Sequence, residues 1–139
     1  MRLALVALAL VACSKADEPA AGSGSSSGSS AAAAPGDGPR EQVLAAWKKG
    51  NLDVGAFTKA STDVGKDCAT GKVAKLDVLV CVYGKADDAK SSEEYGLGWV
   101  GQATGAAQAH GVTLIAVADH AKADPHGKTI NQLMKLAPN

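Results

Sequence analysis

The sequence predicts a small α+β domain with two β-hairpins, a mainly antiparallel sheet and three flanking helices. Two β-rich apolar runs carry this prediction, residues 76–83 and 112–118, and turn-forming residues bound each of them. Segments with helical spacing of apolar residues lie before, between and after these runs. The length of 139 residues allows one such domain with appendages.

The amino terminus, MRLALVALALVAC, has the features of a secretory signal peptide. Arg2 precedes an unbroken apolar run from Leu3 to Ala12. Ten helical residues cover about half of a roughly 30 Å hydrocarbon core, so the run is too short to span a membrane. It ends in Leu10-Val11-Ala12-Cys13, which resembles the lipobox of bacterial lipoprotein precursors.

The lipobox resemblance implies a lipid anchor in the cell envelope. In such lipoproteins the cysteine thiol receives a diacylglyceryl group, a peptidase cuts before it, and the new amino terminus is acylated, commonly with palmitate. Residues 1–12 are then the signal peptide and Cys13 is the lipidation site. Ser14, rather than an aspartate, follows the cysteine and favours the outer over the inner membrane in a Gram-negative host. A plain signal peptide cleaved nearby, with Cys13 incidental, is the alternative.

Residues 13–40 are predicted to form a tether, and residues 41–139 the folded domain. Residues 16–38 are rich in Ala, Gly and Ser and show no apolar periodicity, which indicates a flexible linker. All the aromatic residues lie after residue 40, so the core must form there.

The first helix is predicted to begin near Pro39, which suits the first helical position, and to end at Gly50. A short second helix is expected after Asp53. The apolar face of the first helix consists of Val43, Leu44 and Trp47.

The segment from Cys68 to Cys81 predicts a disulfide-linked hairpin. With Ala74-Lys75 as a two-residue turn before the strand 76–83, Cys68 lies directly opposite Cys81 in a non-hydrogen-bonded pair. An exported domain folds in an oxidising compartment, which favours a disulfide. Ala-Lys is poor turn chemistry, so a longer loop with a shifted register is the alternative. The spacing does not fit a C-x-x-C redox site or a zinc site.

The second half predicts a helix within residues 84–101, a strand over residues 112–118 and a terminal helix. A weak strand over 104–109 would pair with the second run through a turn at His110-Gly111. A right-handed βαβ crossover, with 112–118 parallel to the first run, is the alternative. The terminal helix ends at Pro138, and its apolar face consists of Ile130, Leu133, Met134 and Ala137.

Two polar motifs follow the second run. Asp119, His120, Asp124 and His126 are weak candidates for metal ligands, because their side chains offer nitrogen and oxygen donors within eight residues. Gly127-Lys128-Thr129 resembles the end of a phosphate loop, but Lys122 stands where that loop needs a glycine. We therefore expect a turn leading into the last helix rather than a nucleotide site.

Composition and motifs favour a binding protein over an enzyme. The formal net charge is zero and the pI is near 6.8, which gives no basic field for nucleic acid. No G-x-S-x-G elbow or other catalytic set is present, and no cofactor is expected.

Residues 57–136 also resemble a group of uncharacterised bacterial lipoproteins, a resemblance that implies no activity. It rests on Cys68, the 76–83 run with Cys81, Ala118-Asp119 and residues 124–131. We expect an anchored, non-catalytic binding or envelope-assembly module, attached to the membrane and possessing an envelope protein partner. The alternative is a metal-dependent or hydrolytic periplasmic enzyme that uses Asp119, His120, Asp124 and His126.

Overall fold

A computed structural model describes residues 36–139, in which a five-stranded antiparallel sheet packs with four helices. The predicted α+β class is confirmed. The lipobox, Cys13 and most of the tether lie outside the described residues. The helices are α1 (Pro39–Lys49), α2 (Ala86–Ser91), α3 (Glu93–Val100) and α4 (Lys128–Leu136). The strands are β1 (Thr58–Thr62), β2 (Gly65–Val73), β3 (Leu76–Val82), β4 (Thr104–His110) and β5 (Thr113–Asp119).

The two predicted hairpins, β2–β3 and β4–β5, lie side by side in one sheet of order β1-β2-β3-β5-β4. Helices α2 and α3 carry the chain past the position of β5, so that β4 becomes the outer strand. Strand β5 then returns between β3 and β4, antiparallel to both. The alternative of a parallel βαβ crossover to the second run is therefore wrong.

The first hairpin has the predicted register. Val73 pairs with Leu76 around the Ala74-Lys75 turn, and Cys68 pairs with Cys81. The two cysteines form a disulfide, with their Cα atoms 4.0 Å apart. Ala74 and Lys75 have φ values of 48° and 72°, the signs that a type I′ turn requires. Because this turn twists with its strands, the hairpin adopts it although neither residue favours a positive φ.

The second hairpin differs from the prediction by one residue. His110 pairs with Thr113, so the turn consists of Gly111 and Val112 rather than His110 and Gly111. Gly111 has a φ of 54° and occupies the first turn position, where a type II′ turn needs a positive φ. Strand β5 accordingly runs from Thr113 to Asp119 rather than from 112 to 118.

The helical predictions need two corrections. No helix follows Asp53: that segment runs beside the end of β2, where the Gly55 N–H donates to the Lys72 carbonyl at 2.8 Å, and then continues into β1. The middle helix divides into α2 and α3 at Ser92, where serine hydroxyls donate to carbonyls four residues earlier. Helix α1 begins at Pro39 and ends before Gly50, as predicted.

Helices cover both faces of the central strands. Helices α1 and α4 pack on one face, where the Trp47 Nε1–H donates to the Leu133 carbonyl at 2.8 Å. Helix α3 packs on the other face, beside the disulfide. All seven residues of β5 are buried, as expected for a strand with a helix on each side. No helix within residues 36–139 is long and apolar enough to cross a membrane.

Candidate functional site

Asp119, the first predicted ligand, fixes the loop after β5. Asp119 is buried, and its two carboxylate oxygens accept hydrogen bonds from the backbone N–H groups of Ala123 and Asp124 at 2.8 and 2.7 Å. Both oxygens therefore hold the loop backbone in place. The contacts give this carboxylate a structural role.

Asp124 caps helix α4. Its buried carboxylate accepts the N–H groups of Lys128, Thr129 and Ile130 at 2.9, 2.7 and 2.9 Å. These are N–H groups of the first turn, which have no partner inside the helix. The carboxylate thus occupies the place where a phosphate would bind at a helix amino terminus. This explains why Gly127-Lys128-Thr129 resembles part of a phosphate loop while the local structure serves an internal cap.

The two histidines of the predicted cluster lie on the surface. His120 is exposed, and its Nδ1 lies 3.2 Å from Asp77 Oδ2. Lys72 Nζ lies 2.6 Å from Asp77 Oδ1. The hydrogen bond from Lys72 and, to a smaller extent, His120 hold the pKa of Asp77 below its usual value, although partial burial opposes this. His126 is also exposed.

The four candidates therefore do not form one site. Asp119 and Asp124 bind backbone N–H groups, and His120 pairs with a residue of β3. Within the described part of the chain, no three side chains of His, Cys, Asp or Glu are grouped to hold a metal ion. The metal-dependent or hydrolytic alternative gains no support from these contacts.

A groove lies elsewhere, between α3 and the β1–β2 turn, with a volume of ≈ 520 Å³. We call it the aromatic groove. Helix α3 contributes one wall, because its groove-facing residues recur one turn apart. The β1–β2 turn and its flanks contribute the other wall. The lining residues are Thr62, Asp63, Val64, Glu94, Tyr95, Gly98 and Trp99.

The fold holds the β1–β2 wall in place. The Tyr83 hydroxyl donates to the Val64 carbonyl at 2.5 Å, and Val64 itself is buried. The Thr62 hydroxyl lies 3.5 Å from the sulfur of Cys68, which the disulfide ties to β3. The wall therefore rests on two strands that are covalently joined, and the groove is a preformed feature of the domain.

The chemistry of the aromatic groove combines aromatic rings with negative charge. Tyr95 is 63% exposed, and Trp99 is half-buried. Among residues 36–139, Asp63 and Glu94 are the charged residues of the lining, to which no lysine or arginine contributes. An adjoining depression adds Asp88, Lys66 and Asp67, the last of which pairs with Arg40 at 2.7 Å. Such a surface suits a ligand that carries both apolar groups and positive charge.

Sequence reasoning missed this site for an identifiable reason. Tyr95 and Trp99 are four residues apart, a spacing that is equally typical of the apolar face of a helix. Asp63 and Val64 lie beside β1, a strand that the sequence pattern did not predict. The available signal was Gly98: a glycine between two aromatic residues in a helix leaves open space that a side chain would fill.

No protein family, curated protein sequence or solved structure matches this chain.

Proposed function

We propose that this protein is an exported, lipid-anchored binding module without catalytic activity, and that the aromatic groove is its binding site. Its partner is a basic, partly apolar segment of another envelope protein. The observation that carries the proposal is the lining of the groove: the part of the chain that the structure describes contributes two aromatic side chains and two carboxylates to it, and no lysine or arginine.

The amino-terminal sequence supports the anchored part of the proposal. Cys13 follows a lipobox-like segment, and residues 16–38 have the composition of a flexible linker. A coil of about 25 residues has a root-mean-square span of roughly 25–30 Å. An anchored domain with such a linker samples orientations above the bilayer and can meet a partner in the same envelope.

The strength and salt dependence of binding follow from the groove. A cationic side chain over an exposed aromatic ring contributes about 0.5–1 kcal/mol. Exposed ion pairs contribute about 0–1 kcal/mol each and weaken with added salt. We therefore expect micromolar rather than nanomolar affinity, and a loss of binding as ionic strength rises.

Gly98 offers a direct test of the groove. A Cβ built at Gly98 meets no atom within 4 Å, so Gly98→Leu adds a side chain to the groove without a clash against the domain. Replacing a helical glycine also raises helix propensity by up to about 1 kcal/mol. The variant should thus fold at least as well as the parent and bind less.

The probe is a short fluorescent peptide of lysine and phenylalanine, with binding measured by polarisation. We expect Gly98→Leu and Tyr95→Ala to lower its affinity about tenfold, a change of about 1.4 kcal/mol. Leu97→Ala is the matched control, because Leu97 is exposed on α3 but does not line the groove. Equal binding of a peptide with glutamate in place of lysine, or unchanged binding by Gly98→Leu, contradicts the proposal.

A separate experiment tests the anchor. In the native host, Cys13→Ser should abolish labelling of the protein by radioactive palmitate and its recovery in the detergent phase of a Triton X-114 extract. Cys68→Ala with Cys81→Ala is the control, because it removes the other two cysteines but leaves the lipobox intact. Palmitate labelling that survives Cys13→Ser refutes the lipobox assignment without affecting the groove.

A further inference from the structure

The two outer strands of the sheet differ in how their edges are protected. Strand β1 carries Lys59 and an irregularity in register between Ala60 and Thr62, both of which discourage pairing with another strand. Strand β4, TGAAQAH, has no lysine, arginine, acidic residue or proline and pairs with β5 without a break in register. By these criteria β4 is the edge that can accept a further strand.

The register of the β4–β5 hairpin determines which backbone groups point away from the sheet. His110 and Thr113 close a two-residue turn and form a hydrogen-bonded pair. From there along the hairpin, non-hydrogen-bonded and hydrogen-bonded pairs alternate. The N–H and C=O groups of Gly105, Ala107 and Ala109 therefore point outward. The contact of Ala109 agrees with this, because its N–H donates to Glu93 Oε1 at 2.9 Å.

Glu93 leaves two residues of the edge available. Among residues 36–139, no hydrogen-bond partner is present for the outward N–H groups of Gly105 and Ala107. Gly105 is exposed and Ala107 half-buried. One carboxylate thus blocks the His110 end of β4, while the Thr104 end stays open to pairing.

We propose that two copies of this chain pair antiparallel through β4, about a two-fold axis at Ala106. In this register Gly105 of each copy lies opposite Ala107 of the other. Each such pair exchanges two hydrogen bonds, so the interface contains four backbone bonds. The bond from Ala109 to Glu93 is kept, which excludes registers that would need the Ala109 N–H.

The β4 edge meets the requirement for pairing with a second copy of itself. A two-fold interface brings each residue near the axis against its own equivalent, so the surface must be self-complementary. The residues of β4 near the axis are small and uncharged and do not repel their equivalents. The envelope anchor would raise the local concentration of copies, but the pairing does not depend on it.

Helix α3 adds side-chain contact to this interface. It lies directly over β4, because a Cβ built at Gly96 comes within 2.8 Å of the Ala107 Cβ. Leu97 is 52% exposed and lies four residues after Glu93, on the side of α3 that faces the open edge. Pairing brings the Leu97 side chains of two copies towards each other and removes apolar surface from water.

A single-cysteine experiment tests the register as well as the dimer. Ala106 of the two copies forms a non-hydrogen-bonded pair, the same kind of pair that carries the Cys68–Cys81 disulfide. The full chain with Ala106→Cys, oxidised mildly and run without reductant, should give a covalent dimer. Gln108→Cys is more exposed but lies away from the axis and should not. The parent chain sets the background from its own cysteines.

A charge variant tests the same interface without a new cross-link. Leu97→Arg places like charges across the axis and should lower the yield of the Ala106→Cys dimer about tenfold. Tyr95→Arg, on the groove side of α3, and Gly98→Leu should leave it unchanged, which separates this proposal from the groove. In sedimentation experiments the parent chain should form dimers as its concentration rises. A monomer at all concentrations, or equal cross-linking through Gln108→Cys, overturns the proposal.

Discussion

Replacing Asp124 tests how much of the stability of the domain depends on one buried carboxylate. Asp124→Ala removes the acceptor of three backbone N–H groups in the first turn of α4. A hydrogen bond to a charged group contributes about 1.5–3 kcal/mol, and the loss of a helix cap by itself costs about 0.5–2 kcal/mol. Removal of the carboxylate also removes its own desolvation cost, and water can hydrate the backbone N–H of the exposed Lys128. Both effects make the loss of stability smaller. We therefore expect a net loss of about 3–4 kcal/mol.

Asp124→Asn separates the charge from the hydrogen bonds. The amide keeps one oxygen acceptor, which can serve the N–H groups of Thr129 and Ile130 that now share Oδ2. Its NH₂ group then faces the Lys128 N–H, and the favourable interaction with the helix dipole is lost. We expect this variant to lose about 1–2 kcal/mol, less than Asp124→Ala.

Urea unfolding of the purified protein, followed by far-ultraviolet circular dichroism, gives the free energies of unfolding. Asp53→Ala is the matched control, since Asp53 is exposed and its carboxylate has no hydrogen bond within the described residues. A loss below about 1 kcal/mol for Asp124→Ala, equal to that of the control, would refute the reasoning, because it would mean that water replaces all three bonds at no net cost.

Three further predictions concern the hairpins. Cys68→Ala with Cys81→Ala should lower the free energy of unfolding by about 3 kcal/mol, the loop-entropy value for this spacing. Intact mass measured with and without reductant checks the disulfide, and free thiols in the parent chain contradict the prediction. Ala74→Asn with Lys75→Gly should add about 1 kcal/mol to the free energy of unfolding and so raise the melting temperature, because both positions have positive φ. A lower melting temperature contradicts the type I′ turn. His110 is 7% exposed and burial lowers its pKa, so the unfolded chain binds its proton more readily. Parent stability should therefore fall as pH drops below about 6.5. His110→Gln should flatten that dependence, and an unchanged pH profile in the variant contradicts it.

The sequence determined the first hairpin almost completely. The alternation of apolar residues from Leu76 onward defined a strand, and the spacing of Cys68 and Cys81 fitted one register with a two-residue turn. These are local properties, because a hairpin pairs neighbouring segments and a disulfide fixes one pair. The terminal helix was predictable for the same reason: its buried residues recur with helical spacing.

Strand β1 and the aromatic groove were not predictable in this way. Residues 58–62 have little apolar pattern, and they form a strand because β2 offers an unpaired edge beside them. Tyr95 carries the same helical signal whether it faces a core or solvent. Its exposure depends on which strands α3 covers, which is a property of the whole sheet.

The cluster around Asp119 and Asp124 also separates what the sequence predicts from what the tertiary structure decides. The sequence by itself determined that two carboxylates and two histidines lie within eight residues, after a buried strand. Only the tertiary structure decided their roles, because a carboxylate can bind a metal ion or a backbone N–H. The packing of α4 against the sheet places its first-turn N–H groups at Asp124, and three hydrogen bonds from these groups replace the water that the buried carboxylate gives up.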